Sequence, residues 1–303
     1  MPRALQVKSY AKINLGLEVL GLRQDGYHEL RTLFQTIDVH DDIVLRPRPR
    51  AVSVRCRHRL VPRDRTNLAV RAAEALRKHV QVSSGVEIEI EKRIPVGGGL
   101  GGGSSNAAAV LLGLDRMWRL GLGPHGLHRL ARRLGADVPF FLLGGTALGL
   151  GRGDEVYPLR RQLRGWVVLV DPGVPISTAA VFSRVDAGLT PRENSNSIFY
   201  FVSRGLEGIG GDRILTNDLE EAAMEEAPAL KERVVRVRDV LRGEGARIDA
   251  LSGSGSSVFG LFDDARAARR ASAVLGKDGM PVRVVRTLTL DQYRRTWGLP
   301  RVR

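Results

Sequence analysis

Cysteine, lysine, aromatic rings and long apolar runs are all scarce in this chain of 303 residues, and each scarcity excludes something. Cys56 is the one cysteine. It can close no internal disulfide, and with no Cys or His cluster near it in the sequence it makes no metal site. It reads as a small buried or half-buried residue, which suits a reducing, cytoplasmic setting. No apolar run reaches the roughly 18 residues that a membrane-spanning helix needs, so no membrane association is expected. The opening stretch MPRALQVKSYAKINLGLEVLG lacks the basic, apolar and small-residue order of a secretory leader, and none is expected.

The net charge is +14, from 47 basic and 33 acidic residues. Lysine occurs only at positions 8, 12, 78, 92, 231 and 277. Arginine is scattered along the whole chain, with short clusters in RPRPR (46–50) and RCRHR (55–59). Aromatic residues make up 5% of the chain and none interleave with these clusters, so no platform for stacking nucleic-acid bases is visible. The arginines read as a solvated basic surface. Nucleic acid is not an expected partner, whereas a polyphosphate ligand suits such a surface.

What is present is a 43% hydrophobic composition and enough length for two domains. Segments 6–21 and 31–46 alternate like strands, with Asp25-Gly26 as a turn between them. Thr66 is a candidate N-cap for a helix running to about His79. In GVEIEIEKRI (85–94), Val86, Ile88 and Ile90 face one side and Glu87, Glu89 and Glu91 the other, as in a half-exposed strand. Helices are predicted over 105–120 and 124–134, then a glycine-rich hairpin. After about residue 157 the pattern restarts, dividing the chain into units 1–157 and 158–303. The second holds a buried strand at 165–173 and an irregular stretch at 186–213, within which 197–202 has helical character. Helices near 217–226 and 228–242, a strand–glycine loop–strand at 246–262, a helix at 263–275 and a strand at 281–289 complete an α+β chain.

The densest signal is IPVGGGLGGGSSNAA (94–108), between the alternating strand and an amphipathic helix. Glycines there permit positive φ and close approach of backbone N–H groups to a ligand. At a helix N-terminus those amides and the helix dipole favour phosphate. A flexible linker would not lie between two such regular elements. Gly103 is followed by Ser104, not by lysine, so this is not a Walker A loop. Gly97, Gly99 and Gly102 match G-x-G-x-x-G, but the preceding strand is half polar and no acidic residue follows at dinucleotide-fold spacing. Protein-kinase H-R-D and D-F-G motifs are absent.

The loop resembles the ATP loop of the GHMP kinases, which act on galactose, homoserine, mevalonate and phosphomevalonate. Two further segments fit the same family in order: SYAKINLGLEVLGLRQDGYHEL (9–30) and LSGSGSSVFGLF (251–262). The resemblance runs from about residue 8 to 290. It implies a ribosomal protein S5 domain 2-like N-terminal domain and a ferredoxin-like C-terminal domain. It implies ATP with Mg²⁺, a small-molecule alcohol acceptor, and a monomer or homodimer. The elements DGYH (25–28), LGADVPFFLLGG followed by GRGDE, and DPGVPISTAAVF (171–182) resemble one branch in particular. That branch serves isoprenoid precursor synthesis, and its acceptor alcohol carries a cytidine diphosphate.

The resemblance assigns the residues as follows. Lys12 and Asp137 form a catalytic dyad: the carboxylate accepts the hydroxyl proton and the ammonium stabilises the migrating phosphoryl group. From the residues alone, Lys12 reads as a surface lysine of a strand and Asp137 equally well as a turn cap. Pro95, Gly97, Gly98, Gly99, Leu100, Gly101, Gly102, Gly103, Ser104 and Ser105 wrap the ATP phosphates, with Asn67 and Lys92 near the nucleotide. Asn14 shares a strand face with Lys12 and bonds the acceptor. Tyr27 and His28 recognise the cytosine, Phe182 covers its other face, and Thr178 and Phe34 lie nearby. Ser252, Gly253 and Gly255 close the rear of the site. Two other readings remain open. One is another acceptor of the mevalonate or homoserine type, against which DGYH and Phe182 argue. The other is a non-catalytic nucleotide- or nucleic-acid-binding protein, which has no need of both Lys12 and Asp137.

Overall fold

The computed structural model describes residues 3–188, 198–207 and 216–298. Two long strands, β1 (Leu5–Leu22) and β2 (His28–Arg48), pair antiparallel from Leu5↔Leu45 to Leu22↔His28. The turn that joins them uses Gly26 at φ 78°, and the Asp25 carboxylate accepts a bond from Tyr27 N at 3.1 Å, as an Asx-turn does. On its other edge β2 pairs with β4 (Gly85–Glu91) at one end and β5 (Thr146–Gly151) at the other. β3 (Val52–Cys56) lies parallel to β4, and β6 (Glu155–Pro158) antiparallel to β5. Parallel neighbours need a crossover, which α1 (Leu68–Val80) supplies.

The middle of β1 does not alternate between buried and exposed. Residues 9 to 16 are all buried because both faces are covered. Ala11, Ile13 and Leu15 pack toward the second sheet, whereas Tyr10 joins the core under α1, α2 (Gly102–Met117) and α3 (Gly123–Leu134). Register shifts between Tyr10/Ala11 and Asn14/Gly16 bracket the segment that carries Lys12 and Asn14, and such bulges re-aim side chains. The arginine clusters find partners on β4. Arg46 meets Glu89 at 2.9 Å, and Arg48 meets Glu87 at 3.0 Å. Arg55 also reaches Glu87, so Glu87 is buried although its strand face was expected to be solvated.

The second sheet has the order β10 (Val282–Arg286), β7 (Trp166–Val170), β9 (Val258–Phe262), β8 (Ile248–Leu251), with every neighbour antiparallel. Helices α8 (Pro228–Gly243) and α9 (Ala265–Lys277) pack on it, giving the ferredoxin-like succession of β7, α8, β8, β9, α9 and β10. Also in this half are α5 (Thr178–Gly188), α6 (Ile198–Glu207) and α7 (Leu219–Glu226). Pro228 opens α8, where its missing N–H costs no helical bond. Within the stretch expected to be irregular, 198–207 is helical, while 189–197 and 208–215 fall outside the described residues.

A third cluster, with Ile13, Leu33 and Leu100 on one side and Leu169, Phe259 and Leu261 on the other, fills the space between the sheets. The chain end returns to the first half. Leu288 N donates to Thr36 O at 2.9 Å, and α10 (Leu290–Thr296) places Tyr293 in the first core. Residues 287–297, counted in the 158–303 unit, therefore pack on the 1–157 unit. No helix among the described residues is long and apolar enough to cross a membrane.

Candidate active site

A cleft of about 600 Å³ opens where the two halves meet. Its floor is the glycine loop. Helix α2 begins at Gly102, three residues before the expected start at Ser105, with Gly101 as N-cap at φ 69°. The loop proper is therefore Gly97–Gly101; the N–H groups of Gly102, Gly103 and Ser104 open the helix without intrahelical acceptors, and the first helical bond runs from Ser105 N to Gly101 O at 2.8 Å. Gly99 shows why the loop is glycine. Its φ is +71°, and a Cβ there would lie 1.9 Å from Ser252 O. The turn between β8 and β9 holds the loop from below: Ser252 Oγ donates to Gly99 O at 3.1 Å, and Ser257 N to Gly98 O at 3.3 Å.

Lys12 and Asp137 meet at the loop. Their side chains approach at 3.5 Å, Lys12 almost buried and Asp137 one-third exposed. Lys12 Nζ also donates to Asn14 Oδ1 at 2.5 Å, and Asn14 Nδ2 donates to Thr32 Oγ1 at 2.8 Å. The Lys12 backbone N–H bonds Leu100 O at 3.1 Å, which ties β1 to the glycine loop. Phe34, buried against Phe140 with ring centres 4.8 Å apart, lies 5.7 Å from the lysine ammonium. Asp137 stands between the end of α3 and the short α4 (Phe140–Leu143), where the chain turns into the cleft.

Of the expected site residues, the cleft gathers Lys12, Asn14, Phe34, Asn67, Lys92, Pro95, Gly97 through Ser104, Asp137, Thr178, Phe182 and Gly253. Tyr27, His28, Ser105, Ser252 and Gly255 are not in its lining. The Ser105 hydroxyl is turned away and buried. It donates to Tyr10 O at 2.6 Å and accepts from Ser9 Oγ at 2.7 Å, so Ser104 is the serine left to the cleft. Ser252 props the loop from beneath. Asn67, not Thr66, caps α1: Asn67 Oδ1 accepts from Ala69 N at 2.9 Å and its Nδ2 donates to Pro62 O at 2.7 Å. The Thr66 hydroxyl instead donates to Asp64.

Two of the residues expected to contact a cytosine meet each other directly. Phe182 stacks on His28 at 4.8 Å with planes 30° apart. Tyr27 is 54% exposed and carries the Arg152 guanidinium 4.7 Å above its ring.

Sequence reasoning missed several residues. Arg152 lines the cleft and is anchored by the buried Asp154, which also accepts from Arg132 Nε at 2.8 Å. Burial works to raise the pKa of Asp154, yet the hydrogen-bonded guanidiniums of Arg152 and Arg132 outweigh it and hold the carboxyl below its ordinary value. Ser254, within the glycine turn expected at the rear of the site, pairs with the Thr178 hydroxyl at 2.7 Å. Leu60, Val61 and Pro62 give the cleft an apolar wall beside the glycine loop. Asp41 and Asn106, deep below the loop, bond each other at 2.8 Å. GRGDE carried a signal for Arg152 and Asp154, but Asp41 carried none.

A phosphate loop, a charged pair beside it and a ferredoxin-like second half define a small-molecule kinase of the GHMP type. The family model for the GHMP kinases N terminal domain matches residues 67–145. The chain is 42% identical over 293 residues to a 4-diphosphocytidyl-2-C-methyl-D-erythritol kinase of Gloeobacter violaceus, covering 94% of this chain and 95% of that one. It superposes on a crystal structure of 4-(cytidine 5'-diphospho)-2C-methyl-D-erythritol kinase with a TM-score of 0.77 at 36% identity, covering 93% of this chain and 99% of the other. Homoserine kinase from Cytophaga hutchinsonii shares the fold, with a TM-score of 0.68 at 18% identity and coverage of 95% and 96%. The chain belongs to the 4-diphosphocytidyl-2-C-methyl-D-erythritol kinase family.

Proposed function

We propose that this kinase transfers the γ-phosphoryl group of ATP to the 2-hydroxyl of 4-diphosphocytidyl-2-C-methyl-D-erythritol, a step of the non-mevalonate route to isoprenoid precursors. The observation that carries the reading is the Lys12–Asp137 pair, 3.5 Å apart at the edge of the glycine loop. Phosphoryl transfer passes through a loose transition state and asks mainly for positioning and charge stabilisation. The amides of Gly97–Gly101 and of the first turn of α2 receive the phosphates. The Asp137 carboxylate orients the acceptor hydroxyl and takes its proton as the new P–O bond forms. The Lys12 ammonium, held by Asn14, faces the charge on the moving phosphoryl oxygens.

The cleft fits Mg²⁺ brought in by ATP. No group of three or more His, Cys, Asp or Glu suited to a metal occurs among the described residues. Mg²⁺ commonly takes few protein ligands and several phosphate oxygens and waters. Ser104, in the first turn of α2, offers a hydroxyl oxygen beside the loop. Bound there, the ion would neutralise triphosphate charge.

The cytosine falls to Tyr27, His28 and Phe182. A base held between two rings needs them about 7 Å apart, twice the ~3.5 Å of a van der Waals contact. Phe182 therefore moves off His28 when the acceptor binds. Thr178 and Gly253 lie along the path from base to hydroxyl, with Ser252 and Gly255 behind them. The division at 157/158, a cytoplasmic setting and a monomeric or homodimeric state belong to the same reading.

The test offers purified protein Mg·ATP with the cytidyl acceptor, mevalonate or homoserine in separate reactions. Phosphorus NMR follows ADP and the new phosphomonoester. A monoester from the cytidyl acceptor alone is the expected result. Turnover with another acceptor would sink the cytosine assignment, and turnover with none would sink the kinase assignment.

A further inference from the structure

We propose that Asp41, which touches neither acceptor nor phosphate loop, is a positioning residue for ATP: it fixes the Lys92 ammonium at the start of α2 and acts on the nucleotide through it. This deepens the reading of the cleft as a kinase site and rests on it.

Asp41 lies on β2 with no solvent exposure. Four donors converge on its carboxylate. Oδ1 accepts from Arg93 N at 2.8 Å and Ile94 N at 2.9 Å. Oδ2 accepts from Lys92 Nζ at 2.6 Å and Asn106 Nδ2 at 2.8 Å. A carboxylate offers about four acceptor directions, so the group is fully used. The donors come from three places that frame the phosphate site: the end of β4, the turn that leads into the glycine loop, and the second turn of α2.

Lys92 is the member that reaches the cleft. Its side chain is 5% exposed, and a Cβ placed on Gly102 would stand 3.0 Å from its Nζ. An ammonium is thus packed against the first residue of a helix, where the dipole is already positive. That concentrates positive potential where a polyphosphate would lie. It is unfavourable for a site out of water unless a counter-charge is present, and Asp41 supplies it. Asp41 also directs the ammonium: it engages one of three N–H donors and holds a long side chain in one place. The same network reaches β1, because Asn106 Nδ2 also donates to Ser9 Oγ at 2.9 Å.

The test compares Asp41→Asn, Lys92→Met and the double variant. The asparagine oxygen can keep both backbone amides while its NH₂ opposes the Lys92 ammonium, so the change is aimed at the lysine. Dissociation of Mg·ATP is read by calorimetry without acceptor, alongside the melting temperature and the KM of each substrate. Lys92→Met should weaken ATP binding about tenfold, in line with the roughly 10- to 100-fold carried by groups that orient a ligating residue. Asp41→Asn should lose nearly as much, with acceptor KM within about twofold of wild type. The double variant should bind ATP no more weakly than Lys92→Met.

Additive losses in the double variant would overturn the proposal. So would a Lys92→Met protein with unchanged ATP affinity, or an Asp41→Asn protein that melts lower yet binds ATP like wild type. Should Asp41→Asn fail to fold, the double variant, which leaves no buried charge unpaired, decides against Lys92→Met alone: equal affinity supports the proposal and a further tenfold loss overturns it. Because ATP binding is read without acceptor, failure of the cytidyl acceptor to turn over would count against the proposed function only.

Discussion

At the phosphate end of the cleft, Lys12, Asn14 and Gly99 are held by partners from distant parts of the chain. At the end proposed for the base, Phe182 stacks on the buried His28, and the exposed Tyr27 carries Arg152 over its ring. Lys12 is fixed by its own backbone bond to Leu100, by Asn14 and by Asp137. Gly99 is pinned by Ser252 from the other half of the molecule. Groups held in this way need little reorganisation during a reaction, and electrostatic stabilisation is most effective where groups are so fixed. The Phe182–His28 stack, by contrast, is a single ring contact, which under the proposed function the acceptor exchanges for its own.

Substitutions at the two ends should therefore fail in different ways. Asp137→Asn apart, the largest loss is expected from Lys12→Met, which removes a fixed charge beside the transferring phosphoryl group. Its kcat should fall by about 10² to 10³ with both KM values nearly kept, as initial rates at saturating substrate will show. Gly99→Ala puts a Cβ 1.9 Å from Ser252 O at a positive φ. The loop must shift, so ATP binding should weaken about tenfold or more, and the melting temperature should drop with the roughly 1–3 kcal/mol cost of overpacking. Phe182→Ala should spare the phosphate end. Acceptor KM should rise about tenfold, as loss of a base–aromatic stack worth roughly 1–3 kcal/mol implies, with ATP KM unchanged. A rise in ATP KM instead would erase the distinction between the two ends. Ser105→Ala is the mildest. It removes a buried hydroxyl with two protein partners and should cost about 1–3 kcal/mol in denaturant unfolding, with kinetics close to wild type. Comparable kinetic damage from Ser105→Ala and Ser104→Ala would contradict the placement of only one of them in the cleft.

How much could be read in advance follows the same division. The glycine loop was legible because close backbone approach and positive φ leave contiguous glycines. The order of strands and helices was legible from alternation and helical spacing. The start of α2 was placed late because Gly102 and Gly103 are poor helix formers, a preference overridden by the need to bring amides against a ligand site. The double burial of β1 was hidden, since the second sheet that covers it lies far along the sequence. Asp41 was hidden for the same reason: its partners are 51 to 65 residues away. The Thr66/Asn67 cap was misassigned by one position because Asp64 claims the threonine hydroxyl. Tyr27, His28 and Phe182 were legible as residues and not as an arrangement, because the Phe182–His28 stack joins positions far apart in the chain.

The central claim is that Asp137, paired with Lys12 at the glycine loop, serves the chemical step and not nucleotide binding. A single-turnover measurement tests it most directly, with wild type and Asp137→Asn each mixed with Mg·ATP and saturating 4-diphosphocytidyl-2-C-methyl-D-erythritol. Phosphoryl transfer should slow by about 10² to 10⁴ in the variant, the range a positioned acid–base group contributes, while its dissociation constant for Mg·ATP stays within about twofold. Transfer at the wild-type rate, or a loss matched by an equal loss of ATP affinity, would contradict the account.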